Sequence, residues 1–135
     1  EKEFQLRISN INNLMNEAVS YDAERVETVK TRLRTALDEL KVNVDENRFE
    51  QELIFYLEKY DITEEKVRLG NHLSYFLETL NGTEANGRKL GFITQEMGRE
   101  INTMGSKSNH TEMQKLVVMM KDELEKIKEQ VLNVL

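Results

Sequence analysis

No cysteine, proline or tryptophan occurs among the 135 residues. Without cysteine there is no disulfide and no thiolate metal site, a usage that fits a reducing, cytoplasmic setting. Without proline nothing forces a helix to break, and 33% of the residues are charged, so helices are expected throughout. Aromatic residues make up 7% of the chain. No apolar run approaches the ~20 residues of a membrane span, and no signal-peptide pattern is present, so no membrane partner is expected. Also missing are a Ser-His-Asp or Cys-His arrangement, a P-loop and a dinucleotide fingerprint, which sets those enzyme classes aside.

The net charge of −6 argues against an indiscriminate basic nucleic-acid binder. Its distribution qualifies that. Between residues 88 and 110, Arg88, Lys89, Arg99 and Lys107 outnumber Glu96 and Glu100 by two, leaving −8 for the remainder. A local basic patch can bind phosphate while acidic surface elsewhere discourages loose binding.

Apolar spacing predicts an all-α, elongated antiparallel helical bundle with one long N-terminal helix, a single helical domain over residues 1–135. Residues 1–41 are expected to form the long helix. Its stripe runs Phe4, Ile8, Ile11, Met15 and Ala18, then resumes at Val26, Val29, Leu33 and Leu40 after a phase shift near Ser20–Asp22 that suggests a kink or new start. Its length exceeds what the other helices can cover, so the first half, Phe4 to Ala18, is expected to project toward a second chain or another domain. A helical pair follows at 45–80. Asp45 caps its first member, which turns Phe49, Leu53, Ile54 and Leu57 inward, and Asp61 with Glu64 forms a capping-box-like pair for the second. The NGTEANG loop at 81–87 separates this pair from two further helices in 88–135. Thr111 and Gln114 suggest another capping box before the last helix, which buries Met113, Leu116, Val117, Met120, Leu124, Ile127 and Val131.

The densest information lies in residues 87–109, GRKLGFITQEMGREINTMGSKSN. Leu90, Ile93, Met97, Ile101 and Met104 form one helical stripe, with Arg88, Gly91, Gln95, Gly98, Arg99, Asn102, Gly105 and Ser106 opposite it. A mid-helix glycine costs about 1 kcal/mol relative to alanine. Three glycines spaced by seven therefore imply close approach, either by a phosphate backbone or by another helix. Glu96 and Glu100, one turn apart, could together hold Mg²⁺ or Mn²⁺, or simply pair with Lys89, Arg99 and Lys107 on a solvated face. Arg88, Arg99, Lys107 and Ser106 are candidate phosphate contacts. His72 could serve as a general base or as a structural hydrogen-bonder. Glu50, Glu52, Asp61, Glu64 and Glu65 form an acidic group that is either solvent-facing charge or a second source of metal ligands.

The 87–109 stretch closely resembles the C-terminal signature of the YicC/YloC family of bacterial proteins. A second block, DITEEKVRLGNHLSYF, agrees with it, placing Asp61, Glu64, Glu65, Arg68, Leu69, His72 and Phe76 in the family's order, and the terminal IKEQVLNVL is also similar. The resemblance covers about residues 20–135. It implies a metal-dependent endoribonuclease, with Mn²⁺ or Mg²⁺ as cofactor, RNA as substrate and a homo-oligomer, possibly a hexamer. On this basis His72, Glu96 and Glu100 are the expected catalytic residues, and Glu64, Glu65, Glu96 and Glu100 the expected metal ligands. Gly91 and Gly98 stand where many members carry Asp and Asn, so neither supplies a polar ligand here. The resemblance also implies a protein about twice this length, so the chain is expected to be its C-terminal half. The alternative is a non-catalytic oligomerisation or RNA-clamp module whose active site lies elsewhere.

Overall fold

The computed structural model describes residues 2–39, 45–82, 87–108 and 111–134. They form five helices: α1 (Lys2–Glu39), α2 (Glu46–Lys59), α3 (Thr63–Asn81), α4 (Gly87–Lys107) and α5 (Thr111–Val134). The protein is all-helical, as the absence of proline and the 3-4 spacing predict. Among the described residues no helix is long and apolar enough to cross a membrane. Leu40 and His110, and most of the 81–87 loop, lie outside the described residues.

Helices α1, α3, α4 and α5 close into a ring in which α1 meets α5 and α3, and α4 meets α3 and α5. Each contributes one apolar stripe: Phe4, Ile8, Ile11, Met15 and Ala18 from α1; Leu69, Leu73 and Phe76 from α3; the expected five from α4; and the expected seven from α5. Phe4 and Phe76 meet with ring centroids 5.5 Å apart, tying α1 to α3. On the α1–α5 side, Glu123 accepts hydrogen bonds from Arg7 Nη1 and Asn10 Nδ2, both at 3.2 Å.

The length mismatch in α1 is real, but the wrong end was expected to project. Phe4 to Ala18 is core, and no residue from Tyr21 to Glu39 is fully buried. The stripe of Phe, Ile, Ile and Met offers more apolar area than Val26, Val29 and Leu33, so it takes the place against α5. The helix also runs unbroken through Ser20–Asp22.

The overhanging half of α1 is accompanied by α2, which stands outside the ring. Arg34 forms an ion pair with Glu46 and stacks over Phe49 at 4.8 Å. Leu53 is buried, but Ile54, expected inward, is 53% exposed and Phe55 is 72% exposed.

Three of the expected caps were tested by the described residues. Asp45 accepts from the Asn47 and Arg48 amides at 3.1 and 3.3 Å, as expected. Asp61 accepts from the Thr63 amide and hydroxyl, whereas Glu64 pairs with Arg68 instead of completing a box. Gln114 Nε2 donates to the carbonyls of Gly105 and Ser108 at 2.7 and 2.8 Å, so it satisfies the end of α4 rather than the start of α5.

Candidate nucleic-acid interface

Helix α4 owes its orientation to a sharp division of its residues. Leu90, Ile93, Met97, Ile101 and Met104 are buried, while Arg88, Phe92, Gln95, Arg99, Asn102 and Ser106 form an exposed ribbon on the other side. The glycines do not follow that ribbon as one ridge. A Cβ at Gly98 would lie 3.3 Å from Leu124 Cδ2, and one at Gly105 would lie 3.1 Å from Val117 Cγ1, so these two admit α5. Of these three, only Gly91 faces open space, in a groove shared with Arg88, Phe92, Gln95, Lys128 and Leu132. Gly91→Ala is therefore expected to raise stability by up to about 1 kcal/mol in urea titration. Gly105→Ala, which must displace Val117, is expected to give no such gain.

The expected phosphate contacts divide in the same way. Arg99 is the most available, with its side chain 73% exposed and only a 3.9 Å approach to Glu96. Arg88 is exposed near the start of α4. Ser106 donates to the Asn102 carbonyl of its own helix at 3.1 Å. Lys107 is committed elsewhere: it pairs with Glu65 Oε1 and donates to the Asp61 carbonyl at 3.0 Å, joining the end of α4 to the start of α3.

The acidic residues do not converge as expected. Glu65 is 2% exposed, with Oε1 on Lys107 and Oε2 buried without a partner. Glu64 is exposed and paired with Arg68. Glu50 and Glu52 lie on α2, outside the ring. Among the described residues no group of three or more histidine, aspartate and glutamate side chains is arranged to hold a metal ion. The proposed set Glu64, Glu65, Glu96 and Glu100 therefore does not fit a metal centre by itself, because half of it is consumed by Arg68 and Lys107.

Glu100 is different. It is 5% exposed, facing inward from α4, and no hydrogen bond or ion pair to it is formed among the described residues. Its oxygens are not among the buried, unpartnered side-chain atoms, so the residue is packed while its carboxylate reaches the surface, which keeps it available for chemistry. Glu96 lies one turn earlier and is half-buried, and His72 on α3 is half-buried as well.

A second polar cluster escaped sequence reasoning. Where the overhang of α1 leaves the bundle, Glu24, Arg25, Thr28, Val29 and Arg32 line a cleft of about 290 Å³ with Tyr56 and Tyr60 of α2 and Lys107 of α4. Positions 24, 25, 28, 29 and 32 share a helix face, a spacing visible in the sequence, but nothing there shows which helix faces them.

Over residues 18–135 the chain matches the family described as "Endoribonuclease YicC-like, C-terminal". It is 38% identical over 136 residues to a "Probable endoribonuclease YicC" from Clostridioides difficile, covering 98% of this chain and 46% of that protein. A protein of the same description from Haemophilus influenzae is 36% identical over 104 residues, covering 77% of this chain and 36% of that protein. The chain thus spans less than half the length of these curated relatives. With the signature run on α4, the second motif on α3 and the family match spanning both, the chain belongs to the YicC-like endoribonuclease family and corresponds to its C-terminal region.

Proposed function

We propose that the protein is an endoribonuclease cleaving phosphodiester bonds in RNA, and that these helices supply the surface that holds the strand. The exposed ribbon of α4 carries this reading, because it places Arg88 and Arg99 with Gln95, Asn102 and Phe92 on one face in a chain of this family. Guanidinium groups suit phosphates, while amides and an exposed ring suit unpaired bases. Replacing Arg88 and Arg99 together by Gln is expected to weaken binding of unstructured RNA. It is also expected to reduce the slope of log affinity against log salt by about 0.7 for each lost phosphate contact. An unchanged slope would show that the ribbon does not touch phosphate.

For the chemical step, Glu100, Glu96 and His72 are the groups assigned to move protons, with Glu100 foremost because no ion pair or hydrogen bond among the described residues occupies its carboxylate. Glu100→Gln is expected to abolish cleavage by the intact enzyme while leaving its unfolding midpoint nearly unchanged. Full cleavage by that variant would remove Glu100 from the reaction. Dependence on Mn²⁺ or Mg²⁺ remains part of the proposal for the intact enzyme. The described residues do not form a centre for such an ion alone, so no step is assigned to one.

A second reading, a non-catalytic oligomerisation or clamp module, is favoured by a different observation. Leu33 and Phe55 are exposed in an apolar groove that they line with Val29, Leu37, Phe49 and Leu53. Exposed apolar surface of this kind suits a protein contact, and self-association up to a hexamer would cover it. On this reading the chain binds RNA without cutting it, and Leu33→Ser with Phe55→Ser lowers its mass in sedimentation. If the chain alone cuts RNA, the second reading fails.

A further inference from the structure

We infer that the cleft between the α1 overhang, α2 and the end of α4 is a nucleotide pocket, which takes one base and its phosphate from a single RNA strand. This inference rests on the RNA-binding reading above but concerns different residues, set apart from the α4 ribbon.

The cleft combines the two chemistries that hold single-stranded nucleic acid, aromatic faces and fixed cations. Tyr56 and Tyr60 meet edge to face at 5.2 Å, so each ring restrains the other. Tyr56 is 41% exposed, which leaves ring surface for a base. The Arg25 guanidinium lies 5.9 Å from the Tyr60 ring. It is held from behind by Asp22, whose Oδ1 accepts from Nε at 3.1 Å. Burial pushes the Asp22 carboxyl up, against the opposing pull of Arg25. Arg25 Nη2 is buried and has no hydrogen-bond partner. A buried guanidinium nitrogen left unpaired is costly, and a small side-chain shift toward the cleft would let a phosphate or base oxygen satisfy it. Arg32, two turns along the same helix face, has no ion pair among the described residues and completes the basic wall. Lys107 closes the third side, fixed by Glu65 and the Asp61 carbonyl. Glu24 is the one acid in the lining, and with Asp22 on Arg25 and Glu65 on Lys107, Arg32 is the lining cation left for a phosphate. At about 290 Å³ the cleft has room for about one nucleotide unit.

The test is binding of a fluorescent, unstructured oligoribonucleotide to the chain and to Arg32→Gln, Tyr56→Leu and Tyr56→Phe variants, each checked for folding by circular dichroism. Tyr56→Leu is expected to weaken binding at least about fivefold with little change in salt slope, since it removes stacking and no charge. Tyr56→Phe keeps the ring and is expected to bind like the parent. Arg32→Gln is expected to weaken binding and lower the salt slope by about 0.7. Adenosine or uridine 5′-monophosphate is expected to compete only weakly, because the pocket serves one unit of a strand. If Arg32→Gln and Tyr56→Leu bind like the parent while Arg88→Gln with Arg99→Gln does not, the pocket inference is overturned and the RNA reading stands. If the two cleft variants affect only mononucleotide binding, the site serves a free nucleotide and the strand assignment is overturned. A parent chain that binds no RNA at all overturns the RNA reading itself.

Discussion

Phe76→Ala is expected to cost about 3–5 kcal/mol, a large share of the roughly 5–15 kcal/mol that holds an ordinary domain folded. Phe76 is fully buried in α3 and meets Phe4 of α1 at 5.5 Å, so the variant removes a large side chain and one half of an aromatic pair. The cavity opens at the seam between α1 and α3, the sparsest of the four contacts that close the ring. Phe55→Ala supplies the contrast: its side chain is 72% exposed on α2, and in the monomer its loss is expected to be almost silent. Urea unfolding followed by circular dichroism measures both. A Phe76→Ala loss below about 1 kcal/mol would mean that the α1–α3 seam is not part of the cooperative unit.

Lys107→Ala is the second large effect, expected at about 3 kcal/mol, and for a reason other than packing. The variant strands Glu65, which is 2% exposed and already has one oxygen without a partner. Removing one member of a buried pair typically costs about 3–5 kcal/mol, whereas replacing both by apolar residues is often neutral or better. The lower end applies because Lys107 keeps 27% of its side chain in solvent. The double variant Glu65→Leu with Lys107→Met is therefore expected to recover most of the loss. If it does not, the lysine matters chiefly through its hydrogen bond to the Asp61 carbonyl.

Periodicity served well wherever one face decided the outcome. The buried stripes of α4 and α5 follow their spacing residue for residue, and Asp45 caps the helix that it precedes. What spacing could not convey was which partner each face meets. Two glycines of α4 looked like a surface ridge because glycine has no side chain to report burial, yet Leu124 and Val117 fill the space beside them. Lys107 looked like a phosphate contact and Glu65 like a metal ligand. Their pairing joins residues 42 positions apart, a separation that local reasoning cannot span. Gln114 matched the N-terminal capping pattern but turns back to the previous helix, because the end of α4 leaves carbonyls within its reach. The family's two motifs were legible as strings, and they fall on α3 and α4, the adjacent helices that this ion pair clamps.

Because α1 is a single unbroken helix of 38 residues, its two halves cannot move independently. The bundle grips it from Phe4 to Ala18, and the remaining length of about 30 Å, some twenty residues at 1.5 Å each, extends beyond. That geometry is a lever with its fulcrum near Ala18. A tilt of about 5° there carries the far end by roughly 3 Å, at 1.5 Å of rise for each residue of the arm. Whatever settles between Arg32 and Tyr56 would push on the arm about 20 Å beyond the fulcrum, so its presence would be felt in the packing of Met15 in the core. Amide hydrogen exchange would register this mechanical link: occupation of the cleft is expected to slow exchange in the gripped half of α1, at residues that no ligand touches.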